Sequence, residues 1–388
     1  HLYGEKSVVY ARNITDIDDK IIKAAAEENV SIEVITKRYA KAYAEDVMTL
    51  GALTPTLEPK ATETLPAMIA MMEKLIAAKH AYVAEGHVLF HVPTMKDYGK
   101  LSKKPREDLI AGARVEVAPY KKDPADFVLW KPSAAEQPGW ESPWGRGRPG
   151  WHLECSSMVE QHLGETIDIH GGGLDLVFPH HENEIAQSKS SHNGKDLARF
   201  WVHNGYLTLK GEKMSKSLGN IVTIHGLLEK YPGEALRLAL LSAHYRQPLD
   251  FSEDLVKEQK RRLDRWQRLT VDTKRKRVKA GDVPKKVLAA LMDDLNTPEA
   301  VAALEAEKNP PDLLAGANFL GLIQVPYNKW FQGKMVKNLD ELEALINERL
   351  LAKKNKDFAK ADEIRKLLQA SGVTLEDTPR GTIWRFKD

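Results

Sequence analysis

The chain contains one cysteine, Cys155, in 388 residues. A single thiol excludes an internal disulfide framework and a multi-cysteine zinc knuckle, and it suits a reducing, cytoplasmic compartment. No apolar run approaches the roughly 20 residues that span a bilayer. The opening His1-Leu2-Tyr3-Gly4-Glu5-Lys6 lacks the pattern of a signal peptide. No membrane partner is therefore expected. Internal repeats and long low-complexity tracts are missing too, so a repeat array is not expected. Net charge is only +2, too little for a strong field over the whole molecule.

What charge there is falls unevenly. Lys257 to Lys279 holds eleven Lys/Arg against three acids, Glu258, Asp264 and Asp272. Such a stripe has the form of a phosphate-backbone footprint, although a solvated helix face has the same composition. An apolar fraction of 42% is ordinary for a globular protein. The length implies about two to four domains.

Ser7 to Ala11 reads as a strand, followed by the polar loop Arg12-Asn13-Ile14-Thr15-Asp16-Ile17-Asp18-Asp19-Lys20. Apolar residues then recur at helical spacing through Ile21, Ile22 and Ala25, and again from Met68 to Ile76. Short β-rich pieces, Val88–Val92 and Val115–Val117, mark a small insertion over about residues 81–145. Helical character dominates from Gly226, with Thr297-Pro298-Glu299 expected as a helix start capped by Thr297. Near the C-terminus, one amphipathic helix carries Leu342, Leu345, Ile346 and Leu350. A second, starting at Asp357, carries Phe358, Ala361, Ile364, Leu367 and Leu368. Burial is the role expected of Phe358 and of Trp266. Two short strands, Val373–Leu375 and Thr382–Phe386, flank the turn at Pro379-Arg380-Gly381.

Lys213-Met214-Ser215-Lys216-Ser217 lies between Gly211 and Gly219-Asn220. Two lysines on a small flexible loop can close over the charge that builds on the β- and γ-phosphates of ATP as pyrophosphate leaves. The stretch resembles the mobile lysine loop of class I aminoacyl-tRNA synthetases.

A second constellation is His170-Gly171-Gly172-Gly173-Leu174-Asp175 with Phe178-Pro179-His180-His181-Glu182-Asn183-Glu184. Pro179 favours a helix starting there, which sets His180 and Glu184 four residues apart on one face. With Cys155 brought in from elsewhere, these are three ligands of a zinc site. The residues also suit a polar helix N-terminus with capped or solvated histidines. A zinc-protease helix is excluded, because position 185 is Ile and not the second histidine of H-E-x-x-H.

The stretches RNITDIDDK, DFVLWK, PWGRGRPGWHLECSSM, DIHGGGLDLVFPHHENEIAQS, EKMSKSLGN and KDFAKADEIRKLL…GVTLEDTPRGTIWRF together resemble the cysteinyl-tRNA synthetases, in that family's order and along nearly the whole chain. The resemblance implies an α/β fold. A Rossmann-type catalytic domain over 1–205 carries the β-rich insertion, and a lysine-loop and stem-contact region covers 206–262, where Glu234-Ala235-Leu236-Arg237 looks like the start of the helical domain. A helical bundle over 263–335 and a small α+β anticodon module over 336–388 follow.

It further implies one Zn²⁺ per chain on Cys155, His180 and Glu184, binding the thiolate of the substrate cysteine. Thr15, Trp151 and His170 would line the cysteine site. Asp175, Gly172 and Gly173 would meet the adenylate, and Lys213 and Lys216 the ATP phosphates with Mg²⁺. Partners would be L-cysteine, ATP and cysteine tRNA, with Lys353, Phe358, Asp377, Arg380 and Trp384 as candidate anticodon contacts. A monomer is expected.

The family's HIGH motif and further cysteine ligand do not occur in this sequence. The resemblance places both ahead of His1, so an N-terminal segment is expected to precede it, and the polypeptide as written is expected to activate cysteine poorly. The helical region between Thr297 and Leu339 also reads as shorter than in the family. Two other readings stand beside the synthetase: a ligase joining cysteine to an amino-sugar in mycothiol synthesis, and a non-catalytic tRNA-binding paralogue. The C-terminal module and the basic stripe speak for tRNA. The zinc and lysine-loop residues speak for an enzyme.

Overall fold

The computed structural model describes residues 3–103, 118–209, 211–214, 221–332, 339–370, 373–378 and 381–386. The chain forms two compact units, His1–Gly226 with Tyr245–Phe251, and Leu227–His244 with Ser252–Asp388. Among the described residues no helix is long and apolar enough to cross a membrane.

In the first unit, helices Asp19–Glu28 and Ile32–Thr49 pack through Ile21, Ile22, Ala25, Ile32 and Ile35. Asp18 caps the first, accepting from the Lys20 amide. An antiparallel sheet runs Ala81–Ala84, His87–Phe90, Phe127–Pro132, Gly147–Pro149. Its first hairpin turns at Glu85-Gly86, both at positive φ, the twist that a two-residue turn between antiparallel strands requires. Met68, Met71, Met72 and Leu75 of helix Leu65–Ala77 fill the core against this sheet, together with Leu153 and Met158 of helix Trp151–Leu163.

Strand Ile167–Gly173, helix Glu182–Ser191 and strand Ala198–Asn204 then form a parallel β-α-β crossover. The Gly171–Gly173 run lies at the carboxyl end of its strand, where α/β sheets bind ligands. Strand Leu207–Leu209 pairs antiparallel with Glu212–Lys213 and parallel with Leu249–Asp250.

Residues 7–11, expected as a strand, make one isolated bridge, Ala11 with Leu57, and a second, Ile14 with Lys60, follows on the adjoining loop. Proline explains the break. The Leu57 amide donates to Tyr10, but one step back in this register Pro55 has no N–H for the Val8 carbonyl; one step on, Pro59 has none for Arg12, and pairing resumes only where the Ala61 amide donates to Ile14.

The second unit packs helices Gly233–Leu241, Glu253–Leu269, Lys285–Met292, Thr297–Ala306 and Pro310–Phe319. The cap of helix Thr297–Ala306 is Asn296, one residue earlier than expected. Its Oδ1 accepts from the Glu299 amide at 3.2 Å, which leaves Thr297 in the first turn. Glu234 is buried, and its carboxylate accepts from the amides of Ile323, Gln324 and Val325. Trp266 is buried as expected and donates to Glu305.

Helices Leu339–Lys354 and Phe358–Ala370 pack on the hairpin Val373–Thr378/Gly381–Phe386 through Ile346, Ile364, Leu368 and Val373, with Trp384 against that cluster. Phe358, expected inside, is 63% exposed. It sits in the first turn, off the stripe that Ala361, Ile364 and Leu368 bury. Asp377 accepts from Arg349, Lys353 and Thr382, so its carboxylate is already engaged within the module.

Candidate metal centre and active site

Helix Trp151–Leu163 puts Trp151 one turn before Cys155 and His152 three residues before it, so these side chains share a face. The chain after the glycine run passes a cis Phe178–Pro179 bond before helix Glu182–Ser191 begins. His180 therefore precedes the regular helix, yet its Nε2 lies 3.5 Å from Glu184 Oε1. One donor atom each from Cys155, His180 and Glu184 lie within 4.8 Å of one another. His170, His181 and Glu184 form a second such group.

His180 approaches one oxygen of the shared Glu184 carboxylate, and His170 and His181 the other. Glu184 is fully buried. Its Oε2 accepts from His170 Nε2 at 3.0 Å and lies 3.9 Å from His181 Nε2. Its Oε1 is buried with no hydrogen-bond partner. A buried carboxylate oxygen without a partner is costly, and a cation would satisfy it.

The electrostatics prepare ligands. Burial opposes the charge on Glu184, but His170, by charge and hydrogen bond, holds the carboxyl below its ordinary range. Burial lowers His180 and takes His181 and His152 down to about 3, so these imidazoles are neutral, the metal-binding form. Burial, and then the nearby charges of Glu184 and Glu154, push the Cys155 thiol well up. It is a thiol until a cation replaces its proton.

His180 Nδ1 lies 2.8 Å from His152 Nδ1. With both rings neutral, a proton on His180 Nδ1 leaves Nε2 bare toward Glu184. Trp151 stacks on His180 at 4.2 Å between centroids and remains 46% exposed on its other side. It walls a cleft of about 430 Å³ that Ile17, Asp18, Tyr98, His152 and Glu154 also line. His181 Nδ1 continues to His203 Nε2 at 2.8 Å.

Gly172 has a local reason. A side chain there would meet the His181 ring at 2.8 Å, and one at Gly173 would collide with Asp175 Oδ1. Asp175 itself is exposed in the turn Leu174–Leu176. Thr15 is partly buried and accepts from Asn13 at 3.4 Å, on the loop whose Asp16 and Asp18 charges bear on Glu154. Gly211 has φ +77° and its amide donates to Asp250, which also holds Thr208. Lys213 ends that hairpin, while Lys216 lies outside the described residues.

Of the residues expected in the site, the structure thus joins Cys155, His180, Glu184, His170 and Trp151. His152, His181 and His203 were not expected. Helical spacing from Cys155 back to His152 was the signal available for the first. The others meet only through the β-α-β crossover.

The chain matches the family model for tRNA synthetases class I (C), catalytic domain, over residues 3–261. It is 56% identical to the cysteine–tRNA ligase of Parvibaculum lavamentivorans, over 98% of this chain and 85% of that protein. The corresponding figures for the cysteine–tRNA ligase of Xanthomonas campestris are 53%, 97% and 85%, and for that of Caulobacter vibrioides 52%, 100% and 88%. Among solved structures, Mycobacterium tuberculosis methionyl-tRNA synthetase with methionyl-adenylate aligns with a TM-score of 0.53 at 16% identity, over 80% of this chain and 75% of that one, which shows the fold alone. With a class I catalytic fold and matches of this identity along its full length, the chain belongs to the cysteine–tRNA ligase family of class I aminoacyl-tRNA synthetases.

Proposed function

We propose that the chain condenses L-cysteine with ATP to cysteinyl adenylate and passes the cysteinyl group to the 3′ end of cysteine tRNA. One observation carries the amino-acid specificity: Cys155, His180 and Glu184 bring one donor atom each within 4.8 Å of one another, and Glu184 Oε1 is buried without a hydrogen-bond partner. A thiolate, a neutral imidazole and a carboxylate suit Zn²⁺, one per chain, with a coordination position left for substrate. When bound, zinc supplies a soft Lewis acid for the substrate sulfur. A pocket that judged shape alone would separate cysteine from serine by only about 1–3 kcal/mol.

The chain's own residues do the rest. His170 fixes Glu184, and His152 fixes the His180 tautomer. Trp151 gives the small substrate an aromatic wall, with Thr15 on the neighbouring loop. Asp175, beside Gly172 and Gly173, is placed at the strand end to meet the amino group or ribose of the adenylate. In activation the cysteine carboxylate attacks the α-phosphorus, and the bond to the bridging oxygen of pyrophosphate breaks. Lys213 and Lys216, with Mg²⁺ on the phosphates, balance the charge on that leaving group.

Within this reading, residues 1–205 with the insertion at 81–145 hold the adenylate. Residues 206–262 carry the lysine loop and stem contacts, 263–335 the bundle and 336–388 the anticodon module. Exposed Phe358 is a candidate stacking surface for a base. The protein works as a cytoplasmic monomer. The relatives' shared name, along 97–100% of this chain, argues against the amino-sugar ligase and the silent paralogue. Cys155→Ser tests the ligand set: bound zinc and cysteine affinity should both drop, and unchanged metal content would refute it.

A further inference from the structure

The basic stripe divides in two. On helix Glu253–Leu269 its cations are largely matched: Lys257 with Asp254, Lys260 with Asp264, and Arg262 and Arg265 with Glu305. Beyond the helix, residues 271–277 form a tight turn closed by the Val271–Arg277 bridge. Asp272 Oδ1 accepts from the amides of Lys274 and Lys276 at 2.8 and 2.9 Å, and Arg275 takes φ +59° at the tip.

Two arginines then serve as anchors. Arg277 donates to the Val325 carbonyl at 2.8 Å, and Arg275 to the Thr382 carbonyl, on strand Gly381–Phe386, at 3.0 Å. Of the stripe's cations beyond the helix, Lys274, Lys276 and Lys279 remain. All three are exposed, and none pairs with a carboxylate among the described residues.

We infer that this anchored turn seats backbone phosphates of the tRNA anticodon arm. The inference rests on the proposed function, because Arg275 ties the turn to the module proposed to read the anticodon. The chemistry fits. Phosphate contacts need cations and backbone geometry without base readout. Lysines on a turn fixed at both sides lose less freedom on binding than lysines on a loose loop. Asp272 Oδ1 accepts from two backbone amides, and among the described residues the carboxylate makes no ion pair with the three ammonium groups.

The test is retention of a cysteine tRNA transcript on filters across a KCl series, comparing the chain with its Lys274→Ala/Lys276→Ala/Lys279→Ala variant. Each lost phosphate contact lowers the slope of log K against log[salt] by about 0.7–0.9, so three lower it by about 2–3. Affinity in 0.1 M salt should fall at least about tenfold. A minihelix lacking the anticodon arm should bind both proteins equally, and their melting temperatures should agree. An unchanged slope and affinity for the whole tRNA, or an equal loss on the minihelix, would overturn the inference. Failure of the unsubstituted chain to bind tRNA would instead sink the proposed function.

Discussion

Replacing His152 with Phe should weaken zinc binding about 10–100-fold, the usual effect of losing a partner that orients a metal-ligating histidine. His152 lines the cleft beside Trp151 but is not among the proposed metal ligands. It acts through His180, by a 2.8 Å contact between the two Nδ1 atoms. Burial lowers His152 to about 3, so it stays a neutral acceptor across the working pH range. Phe keeps a ring of similar size beside Phe127, which meets His152 edge-on at 5.9 Å. What is lost is the acceptor. The His180 Nδ1–H is then buried without a partner, at about 1–3 kcal/mol, which covers the same range at 1.4 kcal/mol per tenfold. The assay is competition for zinc against a chromophoric chelator at neutral pH. His152→Asn, whose Oδ1 can accept, should recover part of the loss. An unchanged affinity in the Phe variant, or no recovery in the Asn variant, would show that His152 does not set the tautomer.

Glu154 is buried, and burial, followed by the charges of Asp16 and Asp18, raises its carboxyl to about 9. An acid raised in the fold makes stability fall as pH climbs from its unfolded value near 4.5 toward 9, since the unfolded chain ionises first. Glu154→Gln should thus be nearly neutral near pH 4.5 and stabilise by about 2–4 kcal/mol at pH 7, at 1.36 kcal/mol per unit. Urea unfolding in chelator at pH 5.5 and 8 checks this, and a pH-independent difference would contradict it. Gly172→Ala should press on His181, which is buried and held by His203. Zinc affinity in that variant should drop several-fold, and an unaffected value would mean that the ring yields freely.

How far the sequence carried differs by element. His180 and Glu184 were legible because four residues of spacing fix a face. The imidazoles around them were not, since His170, His181 and His203 meet only when two parallel strands align. The strand expected at residues 7–11 failed on its partner's proline, which no property of Val8 and Val9 reveals. Phe358 was misplaced because an apolar residue at helical spacing can still fall outside the buried stripe in a first turn. The basic stripe looked uniform in composition, but tertiary pairing with Glu305 and anchoring at Thr382 and Val325 sorted its cations into matched, structural and free.

The most direct test of the account is zinc stoichiometry together with zinc-dependent binding of cysteine against serine. One zinc per chain, with cysteine binding that vanishes on chelation and serine binding that is negligible throughout, is the predicted result. A chain that takes up no zinc after reconstitution, or that binds cysteine equally well without it, would contradict the account.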